Sequence, residues 1–154
     1  MTPPTLALLF ISLAVMIYGT LFFSIINVPV TKGRVTYNLQ IIALKTIKPG
    51  DYHHFPKQIP EGAKDVKWIR SQGAFSTRSS DLVFFHIADP GFIRQTLDTY
   101  CKGVEPIARY TNNHVKDPRD LNGLEYYNIY NDGDIRRGIF INENTGLIGF
   151  IIER

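Results

Sequence analysis

Thirty-one residues pass before the first charged side chain, Lys32, and this one feature limits what the chain can fold into more than any other. Within that run, residues 6–28 read LALLFISLAVMIYGTLFFSIINV, 23 residues without a charge. At about 1.5 Å of rise per residue they reach roughly 35 Å as a helix, against about 30 Å of bilayer hydrocarbon. The expectation is a transmembrane anchor over residues 1–31 that stays attached. A cleaved signal peptide needs a basic leader, an apolar core of about 7–15 residues and a pair of small residues for the peptidase. No Lys or Arg precedes this run, the run is longer, and Phe22-Phe23-Ser24-Ile25-Ile26 supplies no small pair. Ser12 and Gly19, with Ala7 and Ala14, are the small residues at which a neighbouring helix would approach closely.

Roughly 120 residues follow, enough for one domain with a modest core and not for two. Cys101 is the single cysteine, which excludes an intramolecular disulfide and a CxxC redox pair. The net charge of +3 is unevenly divided: residues 32–78 hold nine Lys/Arg against three Asp/Glu, whereas residues 79–154 hold eight against eleven. Cations close to a bilayer gain about 1 kcal/mol each from anionic headgroups. Contact with the lipid surface is therefore the plain account of the basic half, and an acidic partner face is the sharper one. The surface so marked consists of Lys32, Arg34, Lys64, Lys67, Trp68 and Arg70.

Pro29 is expected to close the membrane helix, because its ring removes a donor and disfavours helix in the residue before it. Thr31 to Arg34 then reads as the interfacial exit. Residues 35–47 fit a strand through Val35, Tyr37 and Leu39, and a helix through Leu39, Ile42 and Ala43, so their type stays open. Residues 48–62, KPGDYHHFPKQIPEG, carry three prolines and two glycines and read as a linker or an extended cover strand. Residues 32–62 are thus assigned as a juxtamembrane segment and linker, and 63–154 as the soluble domain.

That domain opens with a hairpin formed by residues 66–70 and 82–87. Its second strand is apolar on both faces and belongs in the middle of a sheet covered on both sides. Asp89-Pro90 starts a helix and Gly103 stops it, with Ile93, Leu97, Tyr100 and Cys101 forming one buried stripe. A polar, irregular stretch to Asn122 precedes a three-strand meander over 124–130, 135–141 and 147–152, whose turns hold the Asn, Asp and Gly residues that tight hairpins require. The fold class is α+β: an N-terminal transmembrane helix plus a small antiparallel sheet, β-β-α-β-β-β, with one packed helix. Tyr126 and Tyr130 are expected on one face of their strand and Tyr127 on the other.

No catalytic constellation emerges. His53-His54 is the most conspicuous pair and the one weak candidate for a metal, but neighbours on an extended segment point apart, and no acidic residue completes an H-E-x-x-H arrangement. His86, inside an apolar strand, is expected as a hydrogen-bonded core histidine. Gly73-Ala74-Phe75-Ser76 does not make a nucleophile elbow, Cys101 falls on the buried helical stripe, and no glycine-rich turn opens a helix to cradle phosphate. No cofactor is implied. The basic and aromatic string 64–70 has a look of nucleic-acid surfaces, yet a strand with its cations toward solvent produces it equally, and no nucleic-acid partner is assigned.

Residues 59–66 (IPEGAKDV), 82–85 (LVFF) and 92–97 (FIRQTL) resemble a loose class of bacterial lipoprotein-like, membrane-anchored α+β domains. The resemblance extends over about residues 55–154 and departs from that class in lacking a lipobox cysteine after the apolar run. It implies an extracytoplasmic, non-catalytic domain. The preferred function is accordingly an accessory or structural subunit whose helix and sheet domain contact other subunits of a membrane complex. A tethered binding module for a small ligand or envelope component is the alternative, and an unrecognised hydrolase the third. Lys32, Arg34, Lys45 and Lys48 after the helix, with no cation before it, favour a cytoplasmic domain by charge count. The resemblance favours the outside, and translocated regions longer than about 60 residues largely escape the charge rule.

Overall fold

The structure, a computed structural model, describes residues 3–26, 30–48, 50–72, 79–108 and 113–154. In chain order these form α1 (Pro3–Ile26), β1 (Val30–Lys32), α2 (Arg34–Ile47), β2 (Lys64–Gln72), β3 (Ser79–His86) and α3 (Pro90–Thr96). A π-helical turn (Leu97–Cys101) continues α3, and β4 (Ile107–Ala108), α4 (Pro118–Leu121), β5 (Glu125–Asn131), β6 (Arg136–Asn142) and β7 (Leu147–Glu153) complete the chain. Every strand pairing is antiparallel, in the order β1-β2-β3-β7-β6-β5-β4. The α+β class and the five long strands follow the expected order. Two short edge strands, β1 and β4, are additions whose three and two residues are too few to show a period.

Among the described residues no helix is long and apolar enough to cross a membrane. The expected transmembrane part of the fold is therefore not shown. Residues 27–29, including the expected helix stop at Pro29, lie outside the described residues, as do 73–78 with the Gly73–Ser76 tetrapeptide. Thr31 and Lys32, expected as a membrane exit, instead pair with Trp68 and Lys67 as an edge strand.

Strand β3 has β2 on one side and β7 on the other, and its side chains divide with period two. Val83 and Phe85 join Trp68, Ile139, Ile148 and Phe150 on one face, while Leu82 and Phe84 join Phe140, Leu147 and Ile151 on the other. Both faces are covered, as the doubly apolar strand demands. Each fully buried Phe removed from water contributes about 1.5–3 kcal/mol. Phe55, Phe85, Phe140 and Phe150 are four such residues, so apolar packing is the main support of the fold.

More than one helix covers the sheet. Residues 35–47, open between strand and helix in the sequence, lie in α2, which buries Tyr37, Gln40, Ile41, Ala43 and Leu44. The segment after it is neither a loose linker nor an extended strand but a series of turns that buries Tyr52, His54, Phe55 and Ile59 in the same core. Long-range bonds hold it: the Tyr37 hydroxyl donates to the Pro56 carbonyl at 2.8 Å, Lys45 Nζ to the Phe55 carbonyl at 2.8 Å, and the Ile59 amide to Asn38 Oδ1 at 3.1 Å. Asp89 caps α3 by accepting from the Gly91 amide at 2.8 Å, with Pro90 at the first helical position. The π-helical turn then places Cys101 and Ile93 in the core with Leu97 and Tyr100 half-buried beside them. On the opposite face Val115, Leu121 and Leu124, from α4 and its flanks, complete the cover.

Tyr126 and Tyr130 do not share a face. A bulge between Asn128 and Tyr130 adds a residue to β5, so Tyr126 packs with Phe140 while Tyr130 sits across from Arg137, whose guanidinium lies 4.5 Å from its ring centroid. One extra residue reverses every side chain beyond it.

Candidate functional site

Of the surface expected from sequence, Lys32, Arg34 and Lys64 are exposed. Lys67 is half-buried, its ammonium 5.5 Å from the Phe84 ring centroid. Trp68 is a core residue, 3% exposed. It alternates with Val66 on the covered face of β2, and Arg70, the next inward position, bonds Asp81 Oδ1 through Nε at 2.6 Å. The expected surface thus divides: Lys32, Arg34 and Lys64 are exposed, Lys67 is half-buried, and the last two members face in. Ser12 Oγ donates to the Leu9 carbonyl of its own helix at 3.0 Å, and nothing stands within 4 Å of a Cβ placed on Gly19.

Asp81 is the centre of a polar network at the end of the sheet. Besides Arg70, it accepts from the Tyr52 hydroxyl at 2.5 Å, Arg154 Nη1 at 3.3 Å and Trp68 Nε1 at 3.5 Å. Asp51 extends it, with Arg154 Nε at 3.0 Å and Arg137 Nη2 at 3.7 Å. Burial, and then the negative charge of Asp81, push the Tyr52 phenol up to about 12. Every carboxylate in the set is matched by guanidinium, an arrangement that joins β2, β3, β6, the residue that follows β7 and the turn at 51–54.

His53 and His54 diverge as neighbours on a turn can: His53 is exposed, with Nδ1 3.1 Å from the Gly50 carbonyl, and His54 is fully buried. His54 Nε2 donates to the Ile151 carbonyl at 3.0 Å, which fixes the tautomer and leaves the buried Nδ1 an acceptor with no hydrogen-bond partner among the described residues. Burial lowers its pKa to about 3, against a smaller raising effect of the Ile151 bond. A ring this hard to protonate accepts a hydrogen bond but is a poor proton carrier near neutrality. His54 lines a cleft of about 250 Å³ between the turns at 54–58 and the α3–π-turn helix, with Phe92, Thr96, Thr99, Tyr100 and Phe150 among its walls. The cleft is a candidate site, with Phe92 and Phe150 as apolar lining and Thr96, Thr99 and Tyr100 along the helix wall.

Because the unfolded chain protonates His54 near pH 6.5 and the folded chain only near pH 3, stability is expected to fall as pH drops below about 6.5. One proton of difference is at most about 1.4 kcal/mol per pH unit. Urea unfolding of the protein and of His54→Gln at about pH 6.5 and about pH 4.5 reads it. The variant should lose less stability on acidification, and equal losses would show that His54 is protonated in the folded state.

His86 is half-buried and clamped between carboxylates, Nε2 3.0 Å from Asp120 Oδ1 and Nδ1 3.5 Å from Asp65 Oδ2. It ties β3 to α4, a bonding role of the kind expected for it, though at the margin of the core. Burial pushes the Cys101 thiol up to about 11, which keeps it from the reactive thiolate form. Among the described residues no group of three or more His, Cys, Asp or Glu side chains is arranged to hold a metal, and His53 and His54 do not converge with other ligands. The cleft itself had no sequence signal, because its two walls are 40 residues apart and the burial of His54 depends on the bond to Ile151. The resemblance carried by residues 59–66, 82–85 and 92–97 rests on those short motifs alone: compared with family models, curated proteins and solved structures, the chain matches none.

Proposed function

We propose that this chain is a non-catalytic, single-pass membrane protein that serves as an accessory or structural subunit of a membrane complex, with α1 as its anchor. The observation that carries the reading is the surface of α1. The helix has 24 residues and no charged side chain, and all its described side chains, 7–20, are exposed. A helix that is apolar all round, with every described side chain exposed, needs a second apolar phase. Over its whole length it rises about 36 Å, sufficient for about 30 Å of hydrocarbon. The cleft beside His54 favours a second reading, a membrane-tethered module that binds a small ligand.

Affinity purification of the full chain from membranes in mild detergent separates the two. The subunit reading expects stoichiometric co-purification of other membrane proteins that survives a salt wash. Recovery of a clean monomer would remove it and leave the tethered binding module.

A further inference from the structure

Helix α2 is apolar on two sides. One side, with Tyr37, Ile41 and Leu44, is buried against the sheet. The other presents Val35, Leu39 and Ile42 at i, i+4 and i+7, which are 72%, 53% and 62% exposed, with Ile47 in the last turn 53% exposed. The sheet therefore satisfies only half of this helix, and its outer stripe is an apolar surface of the kind that marks an interaction site.

The charges around the stripe identify what covers it. Residues 1–50 contain no Asp or Glu, the first acid being Asp51, while Lys32, Arg34, Lys45 and Lys48 lie within or beside α2. Lys32, Arg34 and Lys48 are exposed, and Lys45 is bonded to the Phe55 carbonyl. Exposed apolar side chains flanked by cations, in a stretch of chain that contains no acid, match a surface whose interior is hydrocarbon and whose rim is anionic, which describes phospholipid. A second protein helix would supply the first half of that match without the second.

Distance agrees. Seven residues, 27–33, separate the end of α1 from Arg34, and seven residues span at most about 25 Å when extended. Part of that reach is used in laying Val30–Lys32 along Ile69–Lys67, and the Gly33 amide is held to the Val66 carbonyl at 3.2 Å. A membrane crossed by α1 therefore brings its surface within reach of the first turn of α2.

We infer that the outer stripe of α2 seats in the interface of an anionic bilayer, with Val35, Leu39 and Ile42 among the upper acyl chains and Lys32, Arg34 and Lys48 at the phosphates. The inference rests on the reading of α1 as an anchor. The full chain, reconstituted in phosphatidylcholine vesicles containing phosphatidylglycerol, carries an environment-sensitive fluorophore at Ile42→Cys, at Leu39→Cys or, as a control, at Glu143→Cys, each with Cys101→Ala. Nitroxide-bearing lipids are expected to quench the probes at 42 and 39 but not at 143, and aqueous iodide the reverse. Iodide quenching at 42 and 39, in protein that remains with the vesicles after a carbonate wash, would overturn the inference and leave the anchor standing. Shielding from both quenchers would also overturn it, since protein and not lipid would then cover the stripe. Release of the whole chain by carbonate would overturn the anchor reading and the inference with it.

Discussion

Asp81→Ala is expected to cost roughly 3–5 kcal/mol of folding stability, because it removes a carboxylate shared by Arg70 and Arg154 in a buried network and leaves Arg154 with Asp51 alone. The Asp81 side chain is 4% exposed, Arg70 10% and Arg154 18%, so water has little access to compensate either guanidinium. Tyr52 and Trp68 lose an acceptor in the same step. Asp81→Asn keeps an oxygen for these donors and should lose less. Combining Asp81→Leu with Arg70→Met should recover part of the loss, since it removes a guanidinium together with a carboxylate it bonds. Urea denaturation in mild detergent measures all three. A loss below about 0.5 kcal/mol for Asp81→Ala would place the network in the class of hydrated surface pairs.

What the sequence makes legible are the features with local causes. The central place of β3 could be read because residues 82–85 are apolar on both parities, and only a strand between two others, covered on both faces, buries both. The hairpins could be read because their turns are specified by side chains a few residues away. Asp132 Oδ1 accepts from the Asp134 and Ile135 amides at 3.1 and 2.7 Å, Asn131 Oδ1 from the Gly133 amide at 3.0 Å, and Gly133 takes φ +95°. Asp89-Pro90 could be read for the same reason.

The rest depends on contacts at long range. Helix α2 was ambiguous because Val35, Leu39 and Ile42 form an outer apolar stripe while Tyr37, Ile41 and Leu44 form an inner one, and two stripes together blur the period of either. Residues 50–62 bury four side chains without periodicity, through bonds to α2 that only the folded chain brings into register. Arg70 looked like a surface cation because its residue type outweighed its place in the strand. The available signals were its parity with Val66 and Trp68 and Asp81, the one acid in the partner strand, beside the apolar run 82–85.

The largest loss outside that network is expected at Asn142, a fully buried side chain in an apolar stretch of β6. Its Nδ2 donates its two hydrogens to the carbonyls of Asp120 and Asn122, both at 2.8 Å, with the Arg119 carbonyl sharing one of them at 3.2 Å, and its Oδ1 accepts from the amides of Asn144 and Thr145 at 3.0 and 3.3 Å. Three carbonyls around one nitrogen and two amides before one oxygen fix the orientation of the amide. A single side chain thereby closes the β6–β7 turn, fastens α4 to the sheet and holds the Asp120 carboxylate against His86. Asn142→Ala leaves several buried backbone groups without partners at about 1–3 kcal/mol for each that water does not reach, so a total of roughly 3–5 kcal/mol is expected in urea denaturation. Asn142→Asp separates donor loss from packing loss, since it keeps the shape but turns a carboxylate toward three carbonyls. It should be at least as damaging as alanine at neutral pH and should recover when acid protonates the new carboxyl and restores a donor. Equal stability of Asn142→Asp and the unaltered protein at neutral pH would mean that the three carbonyls are satisfied without Nδ2.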